Sequence, residues 1–382
     1  MTGISKLYCG ADEPSSDALR YRRRPDGAAR RPVVVWNCTR RCNLKCRHCY
    51  SDSGCGAAPA DELTTEEARR LIDDIAGFGC PAMLFSGGEP CLRPDLVELV
   101  ARARERGVRV TLSTNGTLIT AELARSLASV GISYIGVSFD GDEATHDAFR
   151  GVPGAYRRSL EGLRVAKEAG IKVGLRLTIG SGNWREIPSM FALMKREGIA
   201  RACFYHLVYA GRGASIRGED LAHADCRAAV RLIMDETKAW FAAGGRPEIL
   251  TVDNHADGPF VCLELMREDP ERAAKAMELL SFNGGNASGS GIGCVSWDGE
   301  VYADQFSRGR SYGNVRETPF SEIWTGDALA PMREKKLHVK GRCATCRWLG
   351  VCGGNLRARA EAATGDPWAP DPACYLTDEE IA

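Results

Sequence analysis

Three cysteines stand within eight residues in the run Cys42-Asn-Leu-Lys-Cys46-Arg-His-Cys49-Tyr50. Four more gather near the end of the chain as Cys343-Ala-Thr-Cys346, then Cys352, then Cys374. Thiolate is the usual ligand of iron–sulfur clusters and of structural zinc. Three thiolates can wrap three irons of a 4Fe–4S cube, which leaves the fourth iron open to a small chelating molecule. Zinc would ask for a fourth ligand, which His48 could supply, but the spacing and the rest of the chain argue for the cluster. The four thiolates of the second group could close around zinc or around a 4Fe–4S cluster. Cys38, Cys80, Cys203, Cys226 and Cys262 stand alone and are expected to fill core space.

Bulk properties narrow the setting. The chain has 382 residues and 16 cysteines, no apolar run long enough to span a membrane, and no secretory leader pattern. Long cysteine-rich chains of α/β pattern hold metal more often than they form disulfide scaffolds. Fifty basic and fifty acidic residues cancel, so no global field favours nucleic acid or an anionic membrane. A soluble, cytoplasmic protein is the expectation.

The elements that must position these thiols begin at residue 32. Apolar, β-branched or aromatic runs at Pro32–Asn37, Pro81–Ser86, Val108–Thr114, Ser133–Phe139, Lys172–Ile179 and Ala200–Leu207 read as buried parallel strands. Amphipathic helices separate them. Thr64 with Glu67 makes a capping box, after which Ala68, Leu71, Ile72 and Ile75 share one face. Gly107, Gly131, Gly170 and Gly198 mark helix ends. Six β/α units are too few for a closed eight-fold barrel, so the spacing predicts an open partial TIM-like barrel with ligands at the carboxyl ends of its strands. The first cysteine run then falls on the loop after the first strand. Beyond this barrel (32–215) we expect a helical connection and linker (216–293), with helices over Ala224–Ala243 and Glu271–Leu280 and a Gly/Asn/Ser-rich stretch over Asn283–Gly293. A small metal-stapled domain (294–382) with a hairpin turn at Asp298–Gly299 ends the chain. Residues 1–31, including the run Arg22–Arg24, read as an arm.

The spacing C-x3-C-x2-C after a first strand resembles the radical S-adenosylmethionine (SAM) superfamily. That resemblance implies that SAM chelates the open iron through its amino and carboxylate groups, and that reduction of the cluster cleaves SAM to methionine and a 5′-deoxyadenosyl radical. Further matches occur in order at successive strand ends. Ser86-Gly87-Gly88-Glu89-Pro90 is similar to the family's GGEP motif, whose backbone and glutamate receive the SAM amino group. Ser113-Thr114-Asn115-Gly116 and Ser138-Phe139-Asp140-Gly141 end the third and fourth strands, and the likeness implies SAM contacts for Asn115, Ser138 and Asp140. Arg176 is implied as a partner of the SAM carboxylate, and Tyr50 as the aromatic bordering adenine.

The tail spacing C-x2-C-x5-C with a distant last cysteine resembles the outer auxiliary cluster of the SPASM extension. A full SPASM domain carries further cysteines at places where this chain has Leu356 and Asp304, and Cys294 alone cannot hold a cluster. One auxiliary 4Fe–4S cluster is therefore expected, with a zinc knuckle as the plain alternative. Longer stretches, among them Cys203-Phe-Tyr-His206-Leu-Val-Tyr209-Ala-Gly-Arg212-Gly and Thr251-Val-Asp-Asn-His255-Ala-Asp257-Gly, resemble the AhbC-type enzymes of sirohaem-dependent haem synthesis. The NirJ type of d-type haem synthesis is similar. The likeness implies 12,18-didecarboxysirohaem as substrate, loss of its two remaining acetate side chains, Fe-coproporphyrin III as product, and an electron donor that the sequence does not name. The alternatives are removal of propionates from the same precursor, as in the NirJ type, and peptide modification, against which the short segment before the first strand counts. Imidazole suits iron, so His206 or His255 is a candidate ligand of the substrate iron. Arg212 is a candidate for a substrate carboxylate, beside Tyr205 and Tyr209.

Overall fold

The computed structural model describes residues 1–12, 14–21, 31–56 and 61–382; the run Arg22–Arg24 lies outside the described residues. The six strands expected from the sequence all form: β2 (Val33–Thr39), β3 (Ala82–Gly87), β4 (Arg109–Thr114), β5 (Tyr134–Ser138), β6 (Val173–Ile179) and β7 (Arg201–His206). Four more join them: β1 (Thr2–Gly3), β8 (Glu248–Val252), β9 (Ile292–Val295) and β10 (Val301–Tyr302). The result is one ten-stranded sheet in the order β1-β8-β7-β6-β5-β4-β3-β2-β9-β10. Strands β8 through β9 run parallel, and an antiparallel strand finishes each edge. The parallel register continues past the six expected units because β9 pairs with β2, Val33 opposite Ile292 and Trp36 opposite Val295.

Local signals account for most of the helices. The Thr64–Glu67 capping box is present, and Thr65–Gly77 buries Ala68, Leu71, Ile72 and Ile75 against the sheet. Burying four such side chains contributes roughly 1.5–3 kcal/mol for each large one. The four glycines expected at helix ends all take left-handed backbone, with φ of 81°, 77°, 81° and 62° in sequence order. The core continues through aromatic contacts such as Trp36 edge-on to Phe85 at 5.2 Å. The five solitary cysteines are buried in it, as expected.

The segment read as a connection is more structured than expected. It holds the helices His223–Ala242, Asp257–Glu268 and Pro270–Asn283, and β8 lies between the first two. The glycine-rich stretch runs directly into β9, and the expected hairpin at Asp298–Gly299 joins β9 to β10. At the other edge the amino-terminal arm contributes β1 and a short helix whose Ile4 and Leu7 are fully buried. Among the described residues no helix is long and apolar enough to cross a membrane.

Candidate active site and auxiliary metal site

The first cysteine loop leaves β2 and is gripped from three sides. Gly88 and Glu89 donate their backbone N–H groups to the Thr39 and Arg41 carbonyls at 2.8 and 2.7 Å. A Cβ on Gly88 would stand 2.0 Å from the Arg41 carbonyl oxygen, so only glycine admits this approach. The paired glycines thus bring the end of β3 against the cysteine loop. The helix Glu143–Arg150 holds a second side, where its Arg150 and Phe149 carbonyls accept from Lys45 and Arg47 N–H at 3.0 Å each. From the segment after β7, Arg212 donates through Nε to the Cys46 carbonyl at 2.8 Å and through Nη1 to Asp52 and to the Ser53 carbonyl.

The sulfurs receive donors as cluster thiolates do. Leu44 N–H points at Cys42 Sγ (3.5 Å), Ser53 N–H at Cys49 Sγ (3.4 Å), and the Arg150 guanidinium at Cys46 Sγ (3.4 Å). Hydrogen bonds to sulfur are one of the levers that set cluster potential. Burial pushes the Cys42 thiol up to about 12, so loading a metal there must displace protons. His48, the only imidazole in the loop, stacks on Phe149 with ring centres 4.6 Å apart.

Above this loop the carboxyl ends of the strands open into a cleft with about 1040 Å³ of space free of atoms, part of it open to solvent. Tyr50, Gly87, Gly88, Asn115, Ser138 and Arg176 line it together with the three thiols, so the structure brings most of the expected SAM residues to one place. The Tyr50 hydroxyl donates to Asn37 Oδ1 at 2.8 Å, and its ring meets Phe306 edge-on. Asn115 points Nδ2 at Asn43 Oδ1 (2.9 Å), which ties the end of β4 to the cysteine loop.

Five expected residues have their polar groups engaged by partners within the protein. Glu89 is fully buried and absent from the cleft wall; its carboxylate accepts from Cys91 N–H, the Thr114 hydroxyl and Asn115 N–H at 2.7–3.0 Å. It fastens β4 to the GGEP-like loop, although burial raises its pKa. Asp140 is likewise fully buried and pairs with Arg150 at 2.5 Å, so it acts on the guanidinium that reaches Cys46. His206 is not free to bind iron: Nε2 lies 3.0 Å from Asp257 Oδ2 and Nδ1 3.6 Å from Cys226 Sγ. Burial opposes a charged ring there, but Asp257 outweighs it and holds His206 well above its ordinary pKa. Arg212 spends its donors on the cysteine loop, and Tyr209 donates to Asp220. Sequence reading missed Arg150 and Asp253. Arg150 answers an acid ten residues earlier across a helix, and Asp253 occupies left-handed backbone (φ 67°) in the cleft wall.

In the tail, burial raises Cys343, Cys352 and Cys374, the last to about 11, and each of these three has another tail thiol near enough to add to the rise. Trp348 N–H points at Cys346 Sγ at 3.4 Å, and the backbone of Asp371, Asn355 and Leu376 offsets part of the rise at Cys343, Cys352 and Cys374. The thiols are gathered but spread; among the described residues no three His, Cys, Asp or Glu side chains converge tightly enough on a single metal ion.

Residues 36–194 match the radical SAM superfamily, and residues 289–347 match an iron–sulfur cluster-binding domain, SPASM. Across its whole length the chain is 56% identical to Fe-coproporphyrin III synthase of Methanosarcina barkeri, covering 99% of that protein. The chain is a radical SAM enzyme of the AhbC-like family. Pre-heme d1 synthase of Dinoroseobacter shibae is 46% identical over 92% of this chain and 87% of its own. AdoMet-dependent heme synthase of Methanosarcina barkeri is 35% identical over 90% of this chain and 95% of its own. The fold is that of anSMEcpe with bound AdoMet, with a TM-score of 0.70 at 20% identity over 90% of this chain and 94% of that one.

A radical SAM enzyme with a SPASM domain uses a 4Fe–4S cluster, SAM and an auxiliary iron–sulfur cluster, and both thiol groups have the donor chemistry for them. In this SPASM domain the positions lacking cysteine are filled by other means. Asp304 accepts from Phe306 and Ser307 N–H at 2.8 Å each and shapes the turn after β10. Leu356 packs with Val208, Ala210 and Ala358 beside Tyr50 and Phe306. Cys294 is buried and accepts from Asn37 Nδ2 at 3.5 Å.

Proposed function

We propose that this enzyme removes the two acetate side chains of 12,18-didecarboxysirohaem and releases Fe-coproporphyrin III. The observation that carries this reading is the 56% identity, over all of this chain and 99% of the relative, to Fe-coproporphyrin III synthase. When bound, the cluster held by Cys42, Cys46 and Cys49 and its SAM supply the 5′-deoxyadenosyl radical. The chain's own residues then shape the reaction. The Gly87–Gly88 loop, Asn115 and Ser138 border SAM, Tyr50 walls the adenine side, and Glu89 and Asp140 keep Asn115 and Arg150 in place. Tyr50, Tyr205, Leu207, Val208 and Phe306 give the cleft apolar faces suited to a flat macrocycle. Cys343, Cys346, Cys352 and Cys374 hold the auxiliary cluster, and an outside electron donor reduces the enzyme. All 16 cysteines are free, which suits the reducing cytoplasm.

The working division keeps 32–215 as the radical barrel and 294–382 as the auxiliary-cluster domain. The segment 216–293 extends the barrel sheet by β8, and 1–31 contributes its edge strand. A second reading, removal of propionates in d-type haem synthesis, is favoured by the 46% identity to pre-heme d1 synthase. Mass analysis of products formed anaerobically from didecarboxysirohaem separates the two. Sequential loss of two acetate fragments, through an intermediate lacking one, is expected. A product altered at its propionates with both acetates retained would hand the enzyme to the second reading.

A further inference from the structure

Arg176 stands in the middle of β6 at the floor of the cleft. Among the described residues its guanidinium has no hydrogen-bond acceptor and no carboxylate partner. It lies over the Tyr205 ring, 4.8 Å from Cζ to the ring centre, with Cys203, Tyr134 and Tyr50 also near. Arg176 is half-buried, and a cation partly withdrawn from water without an anion carries a cost. The sheet nevertheless makes room for it. A Cβ on Gly136, two residues before Arg176's register partner Ser138 on β5, would stand 2.7 Å from Arg176 Cδ. Glycine inside a strand weakens it, so Gly136 marks a place where the sheet gives up packing to pass the arginine stem.

Two guanidiniums therefore face this cleft, and they differ. Arg150 is paired with Asp140 and donates to Cys46 Sγ, so its charge is already matched and it stands at the cysteine end of the cleft. Arg176 lies four strands along the sheet from the cysteine-bearing β2, under the part of the cleft walled by Tyr205, Leu207, Val208 and Phe306. The planar fork of arginine suits a carboxylate bound through two parallel hydrogen bonds. We infer that Arg176 binds a side-chain carboxylate of the tetrapyrrole substrate, and that Arg150 serves the SAM end of the cleft. This rests on the function proposed above, and it moves Arg176 from the SAM role that the family likeness implied.

The test is equilibrium binding, measured anaerobically on the iron-loaded enzyme, of SAM and separately of didecarboxysirohaem through the macrocycle's visible absorbance. Arg176→Met should weaken the macrocycle by about 10- to 100-fold, the range for a hydrogen bond to a charged group, while SAM affinity and iron content hold. Arg176→Lys should recover part of the loss. Gly136→Ala, which keeps the charge but fills the space of its stem, should fall between wild type and Arg176→Met. Weakened SAM with unchanged macrocycle binding would overturn the assignment and leave the proposed function standing. A wild-type enzyme that binds SAM but no macrocycle would overturn both, through the function. If Arg176→Met lost iron, the lysine and Gly136→Ala variants would decide: macrocycle affinity equal to wild type in both would reject the inference.

Discussion

The two thiol sites are built by opposite means. Around Cys42, Cys46 and Cys49 the local amides of Leu44 and Ser53 are joined by partners from far along the chain: Gly88 and Glu89 just after β3, Asn115 just after β4, Arg150 from the helix after β5, and Arg212 from beyond β7. Around the tail cysteines most donors are close neighbours in sequence, such as Trp348 two residues after Cys346 and Leu376 two residues after Cys374. A site that keeps one iron open must be walled by many strands, because those walls shape what fills the opening. A site closed by four thiolates needs only its own turns. Charge does not separate the two sites: Arg150 and Arg176 line the open site, and in the tail Arg357 and Arg342 offset part of the rise that burial causes in Cys343 and Cys374.

The contrast is broken most severely at the joint between the sites. Arg359 and Asp371 are both fully buried and paired at 2.9 Å. Arg359 also donates to the Leu207 and Asp253 carbonyls of the barrel, while Asp371 accepts from Leu356 and Ala373 N–H in the tail. Arg359→Met leaves a buried carboxylate without its cation and should cost about 3–5 kcal/mol. Anaerobic denaturant unfolding with iron analysis should show a lower midpoint and loss of the tail's iron ahead of the barrel's. Equal loss from both sites would mean that the tail is not the more dependent partner.

A smaller effect sharpens the electrostatics of the cleft. Burial raises Asp253 to about 6. Between the ordinary carboxylate range and that value the folded protein keeps a proton that the unfolded chain has released, so stability falls as pH rises through this window and levels off above it. Asp253→Asn removes the penalty, and its amide side chain tolerates the left-handed backbone. Its stability advantage should grow between about pH 4 and 6 and level off above, toward an upper bound of about 3 kcal/mol from a shift of about two units. A thermal-midpoint difference that does not change with pH would contradict this.

What could be read from the sequence follows the range of the interactions. The six strands, the Thr64–Glu67 box and the glycine helix ends are local and were legible. Strand β9 was hidden because its parallel partner β2 lies some 250 residues earlier and a glycine-rich run precedes it. Strand β8 has only five residues, Glu248–Val252, with no alternation to mark it. The thiols and most cleft residues were legible from spacing at strand ends. For His206 and Arg212, expected to face substrate, the partners Asp257 and the Cys46 carbonyl are distant in sequence, and no local pattern announces them.

The central claim, that the Cys42 site keeps an open iron and the tail site does not, is tested most directly by electron paramagnetic resonance of the reduced enzyme with and without SAM. The account predicts that SAM changes one cluster signal, and that this signal disappears in the combined Cys42→Ala, Cys46→Ala, Cys49→Ala variant. The signal that remains, from Cys343, Cys346, Cys352 and Cys374, should not respond to SAM. A SAM-sensitive signal surviving in that variant, or zinc in place of iron in the tail, would contradict it.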